Sequence, residues 1–368
     1  MSVRIDIAGL APEQVKVVPS PLAELGMALH ALAEPAHHPG LQGWTTSVST
    51  RLDPCLADRL CDADFLWRTT FSDVFTPSAG IPGRRTAPGA TLAEELDLLD
   101  KLSDEQFVDA ALEFTCQSTY ASRTVSRLDD PRTRERALEL AATRGAHQVR
   151  FTQRLLDDPP AVRSWFRELL QDCDEAFFSD VWARVQHQLA ADARHKTELV
   201  RRKGLGAALQ ETSAAVSLDE AGHTVVVDKI TEGFTATEDG ILVLTPTSLG
   251  WPHLWVLHRA DWQPVIMYPV SSPGPTAPPS VEQLTRRMSA LAHPVRMRLC
   301  RHLARGSYTT SELADAHGMT APEISRHLSV LKKAGLITTR RQGRYVQHQL
   351  DLSVVSRLGG DFIEGVLR

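Results

Sequence analysis

The residues best equipped for chemistry stand near the C-terminal end of the chain. Ser325, Arg326, Ser329, Lys332 and Lys333 fall on one stripe, and Arg340, Arg341 and Arg344 follow shortly after. These side chains supply hydroxyls and cationic donors without a carboxylate among them, a set suited to phosphate oxygens and to the acceptor edges of bases. Within the stripe only Arg326 has the planar fork that can grip a guanine edge through two hydrogen bonds, so base reading is expected from Arg326 with Ala321, Pro322 and Ser325 beside it. Thr309, Lys332, Arg340, Arg341 and Arg344 are the candidate phosphate contacts. His327 reads as packed or phosphate-facing rather than as a base reader.

Such residues need a rigid mount, and the sequence marks one. Thr309 is followed three residues later by Glu312, and Thr320 by Glu323. That spacing is the reciprocal capping box, so two helix starts are expected eleven residues apart. Gly318 can take the left-handed conformation that ends the first helix, leaving a short turn into the second. In the second helix Ile324, Leu328 and Leu331 form the buried stripe and the basic residues lie opposite. Glu323 is explained by the cap, and Pro322 fits the first turn, where its missing N–H costs nothing. Leu336 to Thr339 and Tyr345 to Leu350 are β-prone runs, expected to form a hairpin with Arg340 to Arg344 at its tip.

Three stretches carry a family resemblance: Leu291-Ala292-His293-Pro294-Val295-Arg296-Met297-Arg298-Leu299, Glu312-Leu313-Ala314, and Ile324 to Ile337. Over roughly residues 281 to 368 the chain resembles winged-helix repressors of the ArsR type. The resemblance implies a dimeric repressor whose second helix enters the major groove and whose wing lies along the backbone or minor groove. Where many members carry a Cys-x-Cys pair before the Glu-Leu-Ala run, this chain has Thr309 and Ser311, and Leu352 to Arg368 holds neither His nor Cys. Metal sensing at either usual site is therefore not expected, and no metal or other cofactor is assigned.

The chain has 368 residues, too many for one winged-helix module and enough for two or three cores. Its net charge of −5 conceals an asymmetry. Residues 281–368 hold 14 Lys or Arg against 7 Asp or Glu, leaving 26 of the 40 cations and 38 of the 45 acids to residues 1–280. The C-terminal part is thus about +7 and the remainder about −12, which confines affinity for nucleic acid to one end. No apolar run approaches membrane-spanning length and no leader precedes Val3, so a cytosolic protein without a membrane partner is expected. Cys55, Cys61, Cys116, Cys173 and Cys300 form no zinc-type or redox-type pair, and Cys300 reads as core packing.

The architecture expected for the whole chain is α+β, mainly α. An N-terminal α/β segment covers 1–75, where Val3, Ile5 and Ile7 alternate as in a strand and Pro21 to Ala33 reads as a helix. His37-His38 reads as a solvated helix end, because adjacent histidines diverge and no acid or thiol stands nearby at ligand spacing. Residues 76–90 form a loop. A helical bundle follows over 91–216, with helices expected over Asp104 to Val125, Pro131 to Leu156, Ala161 to Leu170 and Asp174 to Gly204. Arg201-Arg202-Lys203 before Gly204 complements the end of that last helix. A small β-sheet is expected over 222–270, packed with the preceding segments. A proline-rich linker spans 271–280, and the winged helix-turn-helix occupies 281–368. The sheet region also resembles that of long ArsR-type regulators of actinobacteria whose front domain has no assigned function, through Gly240 to Pro246, Trp251-Pro252 and Ile266 to Pro269.

Trp251, Trp255, Trp262 and Tyr268 crowd into this sheet region and could line an apolar ligand pocket, fill a core, or lie at a dimer interface. Leu352, Val355, Leu358, Phe362 and Val366 give a last helix an apolar stripe that calls for a partner, most simply a second copy of the chain. No nucleophile elbow, phosphate-binding loop or zinc-protease motif occurs, so no catalytic residue is assigned and the chain is not read as an enzyme. Two functions remain. One is a homodimeric repressor of double-stranded DNA whose N-terminal body senses a small-molecule effector or fixes the dimer. The other is a protein-interaction module whose winged helix no longer reads DNA.

Overall fold

The structure, a computed structural model, describes residues 2–68, 71–81, 87–112, 128–229, 232–238, 240–259, 261–270, 280–342 and 345–367. The later part, 113–125, of the helix expected over Asp104 to Val125, Arg84 and Arg85, Cys116, nearly all of the proline-rich stretch and Arg344 lie outside those residues. The chain divides into two compact units, residues 1–274 and 275–367.

In the first unit, strands β1 (Ser2–Asp6) and β2 (Val15–Val17) lead into helix α1 (Pro21–Ala33). Then come α2 (Gln42–Ser49), α3 (Pro54–Ala63), α4 (Leu92–Leu99), α5 (Asp104–Leu112), α6 (Pro131–Ala142), α7 (Ala146–Asp157) and α8 (Pro159–Cys173). A π-helical segment, Asp174–Phe178, runs on into α9 (Ser179–Lys203), and α10 (Leu205–Gln210) follows. The unit closes with β3 (Val216–Leu218), β4 (Thr224–Asp228), β5 (Gly233–Ala236), β6 (Leu242–Thr247), β7 (Trp255–Leu257) and β8 (Val265–Pro269).

These strands build two sheets rather than the single small sheet expected. Their orders are β3-β4-β1-β5 and β2-β6-β8-β7. Each is completed by a strand from the first seventeen residues: β1 pairs antiparallel with β4 and parallel with β5, and β2 pairs parallel with β6. The pairing spans more than 200 residues of chain, so no local pattern could announce it. Val3 and Ile5 face inward while Arg4 is exposed, the half-buried alternation read from the sequence.

Helix α1 is the centre of this unit. It is buried on nearly every side, with Leu22, Leu25 and Ala28 fully enclosed. Ser20 caps it, its Oγ accepting from the Ala23 amide at 3.0 Å, and Pro21 fills the first turn. Two buried acids fix it further. Glu95 accepts from the Ser20 hydroxyl and from the Leu22 amide at 2.7 Å, and Glu24 accepts from the amides of Ser248 and Leu249.

Two differences concern the helices. The stretch expected as one helix over Pro131 to Leu156 breaks into α6 and α7 at Gly145, whose φ of +130° an L side chain rarely adopts. Conversely, the helices expected over Ala161 to Leu170 and Asp174 to Gly204 are continuous, because Asp174–Phe178 takes π-helical spacing instead of breaking. One apolar core gathers Trp67, Phe75, Phe166, Phe178 and their neighbours, and a second gathers the inner faces of β1, β4, β6 and β8 with the later part of α9.

The second unit contains α11 (Val281–Leu291), α12 (Pro294–Leu303), β9 (Tyr308–Thr309), α13 (Thr310–His317), α14 (Ala321–Lys333), β10 (Ile337–Gln342), β11 (Tyr345–Leu350) and α15 (Leu352–Leu367). Its sheet has the order β10-β11-β9. Its core is Leu299, Leu303, Leu313, Ile324, Leu328, Leu331 and Leu336, with Cys300 buried among them. The chain is α+β and mainly helical, as its patterning implies.

Candidate nucleic-acid interface

The mount for the basic stripe is built by its capping residues. Thr309 donates to Glu312 from both its amide, at 2.6 Å, and its hydroxyl, at 2.8 Å. Thr320 does the same to Glu323, at 2.9 and 2.8 Å. The Thr amides, more than any other group, hold both carboxyls below their usual pKa, so both stay anionic where they satisfy helix-end donors. Between the helices Gly318 adopts φ +61°, and its amide closes the end of α13. The same spacing recurs at Ser280 and Gln283, and only half of a box forms there. Ser280 accepts from the Gln283 amide at 3.1 Å, while the Gln283 side chain reaches away to the Ala334 carbonyl.

Along α14, Ile324, Leu328 and Leu331 are buried, and Ala321, Pro322, Ser325, Arg326, Ser329, Lys332 and Lys333 are all exposed. The structure therefore brings the candidate base readers and Lys332 onto one helix. His327 is half-buried, its ring 5.0 Å from that of His293.

Two assignments change. Thr309 has committed both its amide and its hydroxyl proton to Glu312, so it has no proton to give a phosphate. Arg340 and Arg341 belong to the strand rather than to a hairpin tip, since β10 continues to Gln342 and β11 begins at Tyr345. Arg340 stands opposite Gln347 and Arg341 opposite Val346, so the two exposed arginines leave opposite faces of the ribbon. Arg344 lies between the strands, outside the described residues.

In the first unit the four aromatic candidates do not converge on one pocket. Neighbouring residues of β8 face opposite ways, and this sends Met267 into one core and Tyr268 into the other. The Tyr268 hydroxyl donates to Asp192 at 2.6 Å and the Lys196 ammonium sits over its ring. Trp255 and Trp262 are on the other side. Trp255 donates from Nε1 to the Phe71 carbonyl at 3.0 Å, and Trp262 packs against Gly80. Trp251 is half-buried and joined to Pro252 by a cis peptide bond. The rings of Trp255, Trp262 and Tyr268 are core and sheet packing. An open cleft elsewhere, of about 420 Å³, is lined by Trp44, Arg51, Phe177 and Arg184 among others.

The expectation that His37-His38 is a solvated helix end is also corrected. His38 is 1% exposed, and the rings of His30, His37, His38 and His253 lie together. Burial, then the neighbouring His30, lowers the His38 pKa to about 4 against the pull of the Trp251 carbonyl, which lies outside hydrogen-bond geometry. The partner that gathers these rings, His253, is more than two hundred residues away in sequence, so spacing could not reveal it.

The two capped helices, the three-stranded sheet and the exposed basic stripe define a winged helix-turn-helix module. The chain belongs to DUF5937, a family of unknown function that matches residues 1–274, and its C-terminal module is of the ArsR type, a helix-turn-helix domain matching residues 291–340. The module is 34% identical over 71 residues to the biofilm growth-associated repressor of Agrobacterium fabrum, an alignment covering 19% of this chain and 61% of that one. It is 36% identical over 84 residues to the HTH-type transcriptional regulator CmtR of Mycobacterium tuberculosis, covering 23% and 71% respectively. Among solved structures, the homodimeric winged helix-turn-helix DNA-binding domain Mb0332 of Mycobacterium bovis is 30% identical, with a TM-score of 0.21, covering 23% of this chain and 79% of that one. The chain spans under two thirds of the Agrobacterium repressor's length.

Proposed function

We propose that this protein is a sequence-specific DNA-binding transcriptional regulator, acting as a homodimeric repressor on an inverted repeat. The observation that carries this reading is the exposed face of α14, where every candidate contact from Ala321 to Lys333 is accessible while Glu323, the only acid on the helix, is occupied by its cap. In this reading α14 enters the major groove. Arg326 takes a guanine through its O6 and N7, with Ala321, Pro322 and Ser325 against neighbouring bases. Lys332, Arg340, Arg341 and Arg344 supply phosphate contacts and most of the affinity. The ribbon β10–β11 lies along the backbone, and its two-faced arginines suit a position astride a phosphate ridge.

Dimerisation is supported by α15. Leu352, Phe362 and Val366 are 56%, 46% and 56% exposed, an apolar face at the end of a small unit that a second copy would cover. Residues 1–270 then serve as the part that senses an effector or fixes the dimer.

The test is selection of genomic DNA fragments by the purified full-length protein near physiological salt, followed by sequencing. Enrichment of an inverted repeat with half-sites about one helical turn apart is the expected result. A folded, dimeric protein that enriches no sequence would move the assignment to a protein-interaction module.

A further inference from the structure

The buried histidines of the first unit come from three separate stretches. His30 lies in the last turn of α1, His37 and His38 lie in the turns that follow, and His253 comes just after the cis Trp251-Pro252 bond. One candidate ligand nitrogen from each of His30, His37 and His253 lies within 4.8 Å of the other two. The Nε2 atoms of His30 and His253 face each other at 3.0 Å. Nitrogens bound to one tetrahedral ion stand about 3.3 Å apart, so this pair already has nearly the required spacing.

The surroundings set the ring orientations. His30 Nδ1 is 2.5 Å from the Trp67 carbonyl, and a carbonyl can only accept, so Nδ1 carries the proton and donates it there. In the neutral ring that leaves the Nε2 lone pair aimed at His253. A histidine that gives its far N–H to a backbone carbonyl and turns its other nitrogen toward the cluster has the outer-sphere arrangement typical of a metal ligand. Two further features argue against simple core filling. Nδ1 of His37 and both ring nitrogens of His38 are buried with no hydrogen-bond partner, an arrangement that destabilises a core unless something satisfies them. The His38 ring is 5.1 Å from those of His30 and of His253, as the remaining imidazole of the set.

From this geometry we infer that His30, His37 and His253 form a binding site for a divalent late first-row transition ion of the Zn2+ class, with His38 beside it. The set is imidazole throughout, which suits Zn2+, Co2+, Ni2+ or Cu2+ and does not suit Mg2+ or Ca2+. The bound ion would join the end of α1 to the 250–254 segment and to the turns after α1, all within the first unit. This site is independent of the DNA-binding reading and is tested without DNA.

The experiment is titration of metal-free full-length protein with Co2+, followed by visible absorption, with Zn2+ then added as competitor. The expected result is an intense visible band that saturates at one ion per chain and is abolished by Zn2+. His37→Gln and His253→Gln should each weaken binding by at least about 100-fold, the upper end of what loss of even an outer-sphere partner costs. His37 is half-buried, so His37→Gln should keep the fold even if changes at the enclosed His30 do not. His187→Gln, an exposed histidine on α9, should bind as the parent does. Absence of Co2+ and Zn2+ binding by the folded protein would overturn the site. Equally, full-strength binding that persists in both folded His37→Gln and His253→Gln would place the ion elsewhere and overturn it.

Discussion

Arg326 is the residue on which sequence reading in the proposed function depends. Replacing it with Ala should cost about 1–3 kcal/mol on the preferred site and relax the preference at one base position. Fluorescence anisotropy on the selected site and on its single-base variants measures this. Equal loss on every sequence would make Arg326 a phosphate contact instead. A second residue, Glu95, predicts how stability responds to pH. Burial, partly offset by hydrogen bonds from Leu22 and Ser20, raises its carboxyl to about 8. The folded state therefore holds a proton that the unfolded chain releases near its ordinary, lower value. By linkage, Glu95 lowers stability progressively as pH rises from that ordinary value to about 8, with no further change beyond. Thermal melts from pH 5 to 9 should show this decline in the parent and a flatter profile in Glu95→Gln, which keeps the shape and cannot ionise. Parallel profiles would show that Glu95 ionises normally in the fold.

Among the elements, those held by local chemistry were legible in the sequence and those held by distant partners were not. The Thr309-Glu312 and Thr320-Glu323 spacings named two helix starts, and the hydrogen bonds at both confirm them. At Ser280 the same spacing again marks a helix start, but the box closes only halfway, because Gln283 finds a partner in Ala334, fifty-one residues along. Strands β1 and β2 complete sheets whose other members begin beyond residue 215, and a periodicity cannot say what a strand will pair with. The aromatic residues near β8 were visible as a cluster in sequence, but Tyr268 faces one core while Trp255 and Trp262 pack with the other. Helix α15 offers a prediction of its own. Asp361 accepts from Arg287 of α11 at 2.7 Å, and both side chains are almost enclosed, at 6% and 12% exposure. Asp361→Ala would strand a buried guanidinium and should destabilise this unit by about 3–5 kcal/mol, read as a lower midpoint in urea. A change below about 1 kcal/mol would mean that water reaches Arg287 freely.

For the whole molecule, the proposed assembly predicts how strongly salt acts. Lys332, Arg340, Arg341 and Arg344 from each of two heads make eight phosphate contacts, so log K should fall against log salt concentration with a slope of about −7. Arg340→Ala, removing two of the eight, should bring the slope to about −5. A shallow slope in the parent would leave the ribbon off the backbone. Phe362→Glu places charge on the exposed face of α15 and should give a monomer by sedimentation, with weakened binding to the inverted repeat; an unchanged dimer would place the interface elsewhere. Among the described residues no helix is long and apolar enough to cross a membrane. The rod formed by α8, the π-helical segment and α9 has a consequence for how this chain tolerates insertion and deletion. Its early residues, Phe166, Leu169 and Leu170, pack in one core, while Ala193, Leu199 and Val200 pack in the other. Each residue of an α-helix turns the chain by about 100°. Removing one residue from α9 ahead of Leu189 would therefore turn everything after it by more than a quarter revolution, presenting Arg194 and Arg201 where Ala193 and Val200 now pack. The wide turn over Asp174–Phe178, by contrast, can give up a residue and return to ordinary pitch with little change of phase. Along this rod the wide turn is thus the place that tolerates a change of length, and elsewhere on it length variation that neighbouring loops could absorb would detach one core from the other.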